Sequence, residues 1–167
     1  MNKITICLWF DRNAEDAANF YVDTFNGNPS KEKGAKIGEI LHYGKEGFEI
    51  HQMPEGTVLT VEFELEGHKF SGLNGGPAFK FTPATSFIID CKDQAEVDYF
   101  WEKMSAVPEA EQCGWIQDKF GVSWQIIPTK LNKLFSDPDK EKAGRAMNAL
   151  LQMKKIDIKA LEDAYNG

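Results

Sequence analysis

The stretch KITICLWFDRNAEDAANFYVDTF, residues 3–25, begins with β-branched and aromatic side chains and then changes period. Lys3 to Phe10 reads as a strand with both faces covered. Asp11, Arg12 and Asn13 form a turn. Ala14, Ala17, Ala18, Tyr21 and Phe25 then recur at three- and four-residue steps, which predicts an amphipathic helix from Asn13 to Phe25 with Asn13 as its cap. The segment NGNPS at 26–30 ends it, since Gly27 suits a helix C-terminus and Pro29 cannot continue one.

The same grammar returns in ATSFIIDCKDQAEVDYFWEKM, residues 84–104. A shift of 79 residues lays Asp11 on Asp90, Asn19 on Asp98, Phe20 on Tyr99 and Tyr21 on Phe100. Strand, acidic turn, helix and aromatic pair occur twice, the mark of an internal duplication. Ala84 to Asp90 reads as a buried strand, and Gln94 to Met104 carries Val97, Phe100, Trp101 and Met104 at helical steps. Between the copies, Leu59, Val61, Phe63 and Leu65 alternate with Thr60, Glu62, Glu64 and Glu66, a strand with one face on a core and an acidic face in water. Gly67 and His68 turn the chain into a partner strand ending at Gly75 and Gly76, and residues 77–83 link the halves. Weaker signals lie at 37–43 and 49–52. Each half closes on a hairpin-like stretch, 68–74 and 122–128.

A single helix covers only one face of such a strand set, so the other faces are expected to meet around a concave cavity suited to a small molecule. The fold class expected is α+β: two βαβββ modules, about 1–76 and 80–130, within one domain at 1–130. A helical extension at 131–167 follows. There Asp137, Pro138 and Asp139 open one helix, whose stripe of Ala143, Met147, Leu150 and Leu151 runs to about Met153. Asp157 caps a second helix with Ile158, Leu161, Ala164 and Tyr165 on one face. This tail either packs on the core or clasps a second subunit.

Composition narrows the functional classes. The 167 residues carry 19 Lys+Arg against 26 Asp+Glu, a net charge of -7, which argues against binding bare phosphate backbones. At 42% hydrophobic and 12% aromatic the chain can build a core, and no apolar run approaches the ~20 residues of a membrane helix. Cys7, Cys91 and Cys113 are odd in number and unpaired in spacing, as in a reducing, cytoplasmic setting. His42, His51 and His68 form no metal-ligand motif.

Several adjoining motifs resemble the PhnB-like, or "3-demethylubiquinone-9 3-methyltransferase", domain of the glyoxalase, bleomycin-resistance and dioxygenase (vicinal oxygen chelate) superfamily. They are LWFDRNAEDAANFY at 8–21, FSGLNGGPAFKF at 70–81, AEVDYFWEKM at 95–104, CGWIQDKFGVSWQIIP at 113–128 and MNALLQMKKIDIKALEDAY at 147–165. The resemblance implies a cupped mixed sheet of eight strands, the glyoxalase/bleomycin-resistance fold, and a homodimer, often with strands exchanged between subunits. It also implies a divalent metal held by His or Glu on the first and last strands of each module. Here those positions fall near Thr5, Ser71, Ala84 and Gln125, and none is a strong ligand. No metal or other cofactor is therefore expected. His51 beside Gln52, or His68 with Glu66, are the remaining conceivable ligands, but each histidine reads better as an isolated surface residue. No GxGxxG follows a strand, so the methyltransferase of the family name lacks a nucleotide-type fingerprint; NGGP at 74–77 reads as a turn.

With the cups aligned as the resemblance implies, the inward residues are Trp9, Ser71, Asn74, Phe79, Phe81, Ser86, Trp115, Trp124 and Gln125: an aromatic-walled pocket in which Asn74 and Gln125 orient a ligand. Trp115 and Trp124 read equally as core filling, and Gln125 as a buried amide needing partners. No catalytic residue can be named. Asp118 and Lys119 sit on a turn where charges are usually solvated, and Glu111 and Cys113 precede it with no histidine nearby in sequence. The expected function is binding of a small, aromatic or apolar molecule in a metal-poor pocket. A metal-dependent lyase, isomerase or dioxygenase is the second possibility, and a purely structural or interaction module the third.

Overall fold

In the computed structural model, which describes residues 3–167, the chain divides into two compact units, Met1–Phe81 and Thr82–Gly167. The first holds β1 (Ile6–Phe10), α1 (Ala14–Gly27), β2 (Ala35–His42), a one-turn helix α2 (Phe48–His51), β3 (Val58–Leu65) and β4 (His68–Asn74). The sheet runs β1-β4-β3-β2, with β1 parallel to β4 and the other neighbours antiparallel. The alternation read in residues 59–65 is realised: Val61, Phe63 and Leu65 are buried, and with Leu8, Phe10 and Phe70 they meet Ala14, Ala17, Ala18, Tyr21 and Phe25 of α1. The helix lies close because its facing residues are small. A Cβ on Gly72 would stand 3.1 Å from Val61 Cγ1 and 3.2 Å from the Ala14 Cβ. Each large side chain buried here contributes about 1.5–3 kcal/mol.

The cap of α1 is not the expected one. Asn13 makes no capping bond, and the Ala14 N–H donates instead to Asn74 Oδ1 at 2.9 Å. The Asn74 amide also donates to the Val58 carbonyl at 3.0 Å, so one buried side chain ties the helix start to β3 and β4. The turn between β3 and β4 consists of Glu66 and Gly67, both with positive φ, the pattern of a two-residue hairpin loop.

The second unit holds β5 (Ser86–Cys91), α3 (Gln94–Met104), β6 (Trp115–Gln117), β7 (Ser123–Pro128), α4 (Lys130–Phe135), α5 (Lys140–Leu150) and α6 (Ile158–Asn166). Its sheet runs β5-β7-β6, and β5 is parallel to β7 as β1 is to β4. The aromatic echo is geometric as well: Phe20–Tyr21 and Tyr99–Phe100 are both edge-to-face pairs, at 5.7 and 5.4 Å. The described residues form seven strands where the resemblance implied eight. The equivalent of β2 is replaced by a 3-10 turn at Pro108–Ala110, where Pro108 has no N–H to donate to a ladder. β5 is half open, with Ile88 60% exposed, where a fully buried strand was expected.

The tail packs on this second unit. Leu131, Leu150, Ile156 and Leu161 form one buried cluster against Cys113 and Ile127. The Cys113 and Gly114 N–H groups donate to the carbonyls of Met153 and Lys154, both at 2.8 Å. The single helix expected from Asp137 is preceded by α4, which the sequence did not announce, and it ends at Leu150. Asp139 caps α5 through Glu141 N and Lys142 N, and Asp157 caps α6 through Ala160 N. Among the described residues no helix is long and apolar enough to cross a membrane.

Candidate functional site

The side of the first sheet away from α1 is where functional side chains collect. Because Leu8 and Phe10 point to the helix, Cys7 and Trp9 face the open side; by the same alternation so do Ser71 and Leu73 of β4 and Thr60, Glu62 and Glu64 of β3. Strand register lines them up in cross-strand rows. Trp9, Leu73, Thr60 and Leu41 form a row that is apolar but for the Thr60 hydroxyl; Cys7, Ser71 and Glu62 form a polar one; Lys69, Glu64 and Lys36 form a charged one.

Trp9 is held rigidly. Its Nε1–H donates to the Gly76 carbonyl at 2.8 Å, and the Phe79 ring stands edge-on to it at 4.9 Å. Gly75 is required at this point, since a Cβ there would fall 2.3 Å from the indole ring. Phe79 itself is 66% exposed, so the pair offers an aromatic surface to solvent. At the other end of the rows a groove of about 340 Å³ opens between Lys36, Gly38, Glu39, Glu62, Glu64 and Lys69. Gly38 keeps it open: a Cβ there would approach Glu62 Cβ to 3.1 Å. Lys36 Nζ lies 3.6 Å from the Glu64 carboxylate, whereas Glu62 has no hydrogen bond or ion pair among the described residues. Burial, and then the charge of Glu62, push the Cys7 thiol up.

Of the residues expected to line a pocket, Trp9, Ser71 and Phe79 share this face. Asn74 and Phe81 do not. The Asn74 amide is engaged at both ends by Ala14 and Val58, and its carbonyl accepts the Tyr43 hydroxyl at 2.6 Å, so it is a structural hub. Phe81 packs edge-on against Phe10, whose side chain belongs to the core. Glu62, Cys7 and Leu73 were the residues not singled out. Period-two alternation from Val61 and Leu8 carries the signal for them, but only the β1-β4-β3 register brings them side by side.

In the second unit Ser86, Trp115 and Gln125 share the face away from α3, and Gln125 Nε2 donates to Ser86 Oγ at 2.9 Å. Trp124, adjacent to Gln125 on one strand, necessarily points to the opposite face. It is 2% exposed, and its Nε1–H donates to Asp118 Oδ2 at 2.8 Å. Trp124 and Gln125 therefore do not line one surface. Asp118, expected in solvent, is 1% exposed and also accepts the N–H groups of Phe120 and Val122 through Oδ1. Sequence reasoning missed this because its donors come from the turn the carboxylate itself organises.

The remaining titratable groups serve the frame. Ser105 and Lys154 hydrogen bond to Glu111 and hold its carboxyl below the usual range. Cys113 Sγ donates to the Leu150 carbonyl at 3.4 Å. Burial, reinforced by Glu96, Asp90 and Asp93, pushes the Cys91 thiol up to about 12. Of the side chains considered as ligands, His51 and Glu66 are engaged otherwise, and His68 is exposed. His51 Nδ1 accepts the Met53 N–H while Nε2 faces the Glu46 carbonyl, and Glu66 accepts the N–H groups of Glu32 and Lys33. Among the described residues no group of three or more His, Cys, Asp or Glu side chains could hold a metal ion. At Thr5, Ser71, Ala84 and Gln125 the side chains are two hydroxyls, a methyl and an amide, a set that does not fit a divalent cation.

The family model for 3-demethylubiquinone-9 3-methyltransferase matches residues 2–127. A PhnB protein from Bacillus cereus, named for the same methyltransferase, is 31% identical; the match covers 77% of this chain and 100% of that one, with a TM-score of 0.59. A Pseudomonas aeruginosa protein of known structure is 15% identical over 77% of this chain and 98% of its own, with a TM-score of 0.52, a likeness of fold alone. No curated protein matches the chain.

Proposed function

Since the chain belongs to the 3-demethylubiquinone-9 3-methyltransferase family, in its PhnB-like form, we propose that it binds a small molecule with an aromatic or apolar body and does so without a metal. The observation that carries this reading is Trp9: a half-buried indole on an open sheet face, pinned by Gly76 and flanked by an exposed Phe79. A pre-formed aromatic surface grips a flat ligand at little cost in side-chain entropy. Ser71 and Thr60, half-buried on the same face, supply hydroxyls for orientation. The family name is not carried over as an activity, because the sequence has no glycine-rich loop for a nucleotide-like methyl donor.

Isothermal titration with a panel of small aromatic compounds tests the reading. Trp9→Ala is expected to weaken binding of the best of them at least tenfold, and unchanged affinity would remove the proposal. Metal analysis of purified protein is the second arm: stoichiometric iron, manganese, zinc or nickel would overturn the metal-free reading in favour of superfamily lyase, isomerase or dioxygenase chemistry. We further propose a cytoplasmic homodimer. The reduced, unpaired cysteines and the exposed Leu41, Phe48 and Ile50 support it, and a stable monomer in sedimentation at micromolar concentration would contradict the dimer.

A further inference from the structure

Resting on the small-molecule reading of the same face, we propose that the ligand is an organic cation, an ammonium on a short arm from an aromatic or apolar body, with Glu62 as its counter-charge. Charge is not balanced on this face. Lys36 pairs with Glu64 at 3.6 Å, and Lys69 stands directly opposite Glu64 in the β3–β4 register, so the two lysines bracket one carboxylate. Glu62, one row nearer the apolar end, is half-buried and has neither hydrogen bond nor ion pair among the described residues. Its row is otherwise neutral, made of the Ser71 hydroxyl and the Cys7 thiol, the latter held protonated more firmly by Glu62 itself. Glu39, also at the groove, adds a further negative charge and no partner.

A carboxylate without a partner on this face is a free acceptor for a ligand donor, and a charged donor makes the strongest bond to it. The space for that donor exists because residue 38 is glycine. Geometry sets the arm length. Glu62 lies two strands and one same-face row from Trp9, about 12 Å between Cα positions by ordinary sheet spacings. After both side chains reach inward, that separation suits one ring plus an arm of two or three atoms. An anionic ligand of the same shape would set its carboxylate against Glu62.

Titration calorimetry at low ionic strength, on the full chain, compares phenethylammonium with two probes of similar length, neutral N-acetylphenethylamine and 3-phenylpropionate. The expected order is ammonium first, by about tenfold over the neutral probe and more over the carboxylate. Glu62→Gln, an isosteric change on an open face, should collapse that preference to about twofold while leaving the neutral probe's affinity unchanged. Gly38→Val should weaken the ammonium probe by closing the groove. Equal binding of all three probes, unaffected by Glu62→Gln, overturns the cation assignment and leaves the aromatic reading standing. Uniform loss of all three in Glu62→Gln overturns it too, since a charge contact would not touch the neutral probe. Absence of binding by any probe sinks both.

Discussion

At the residue scale, Asp118 and Trp124 decide between a pocket and a core. A carboxylate with three N–H donors, one of them an indole, is a buried charge whose cost is met only by the complete set. Asp118→Asn puts an amide where three N–H groups converge, and unfolding by urea should show a loss of about 3 kcal/mol. Trp124→Phe keeps an aromatic ring but shrinks it and removes one donor, with an expected loss of about 1–3 kcal/mol and no effect on aromatic ligand affinity at the first sheet. A ligand effect without a stability loss would return Trp124 to the pocket. The cysteines separate in the same way. Cys91 is fully buried with its thiol pushed up to about 12, so in the folded protein it should resist alkylation at pH 8, whereas exposed Cys7 is modified first. Mass spectrometry of the modified peptides checks the order.

At the element scale, the start of α1 shows where local reading stops. Asn13 has the residue type and position of a cap, yet its side chain does not close on the helix. Asn74, 60 residues from Ala14, performs that task, and nothing in the local pattern of FSGLNGG announces it. Asn13→Ala should therefore be nearly neutral. Asn74→Ala should cost about 2 kcal/mol or more, because it removes the cap of α1 and the bond to Val58 together. Chemical denaturation of the two variants separates the cases, and the reverse order would refute the assignment. The elements that were legible, β3, α1 and α3, are those whose burial follows period two or 3.6 within a single segment. The missing eighth strand and α4 were not legible. Pro108 removes one donor, but the sequence alone does not say whether its segment would stand at an edge, where that is tolerated, and α4 offers just six residues of periodicity, with Leu131 as its buried anchor. The candidate site was half legible for a related reason: Trp9, Ser71 and Phe79 stand out as residue types, whereas Glu62 reads as one more acid on a wet face until its row neighbours are known.

At the scale of the whole chain, the 40 residues beyond the family match pack on the second unit through an apolar cluster and add lysine–carboxylate contacts beside it. Lys154 meets Glu111 at 3.3 Å, and Lys155 meets Asp98 at 2.6 Å. Glu111 is held below its usual range first by Ser105 and then by Lys154, and Asp98 first by Lys155. Carboxylates depressed in the folded state bind fewer protons than in the unfolded chain at acid pH, so stability rises with pH there. The contribution is complete above the ordinary carboxylate range, about pH 4–5, and is lost as pH falls through the depressed values. Asp98 is 41% exposed and Glu111 18% exposed at the side chain, so solvent screening limits each pair to about 0.2–1 kcal/mol. Thermal unfolding followed from pH 7 to pH 3 should therefore show a steeper acid decline for the intact chain than for a Lys154→Ala, Lys155→Ala double variant, with the two curves converging at the acid end. Added salt should narrow the gap at pH 7. Parallel curves across the whole range would mean that the apolar cluster of Leu131, Leu150, Ile156 and Leu161 holds the tail alone.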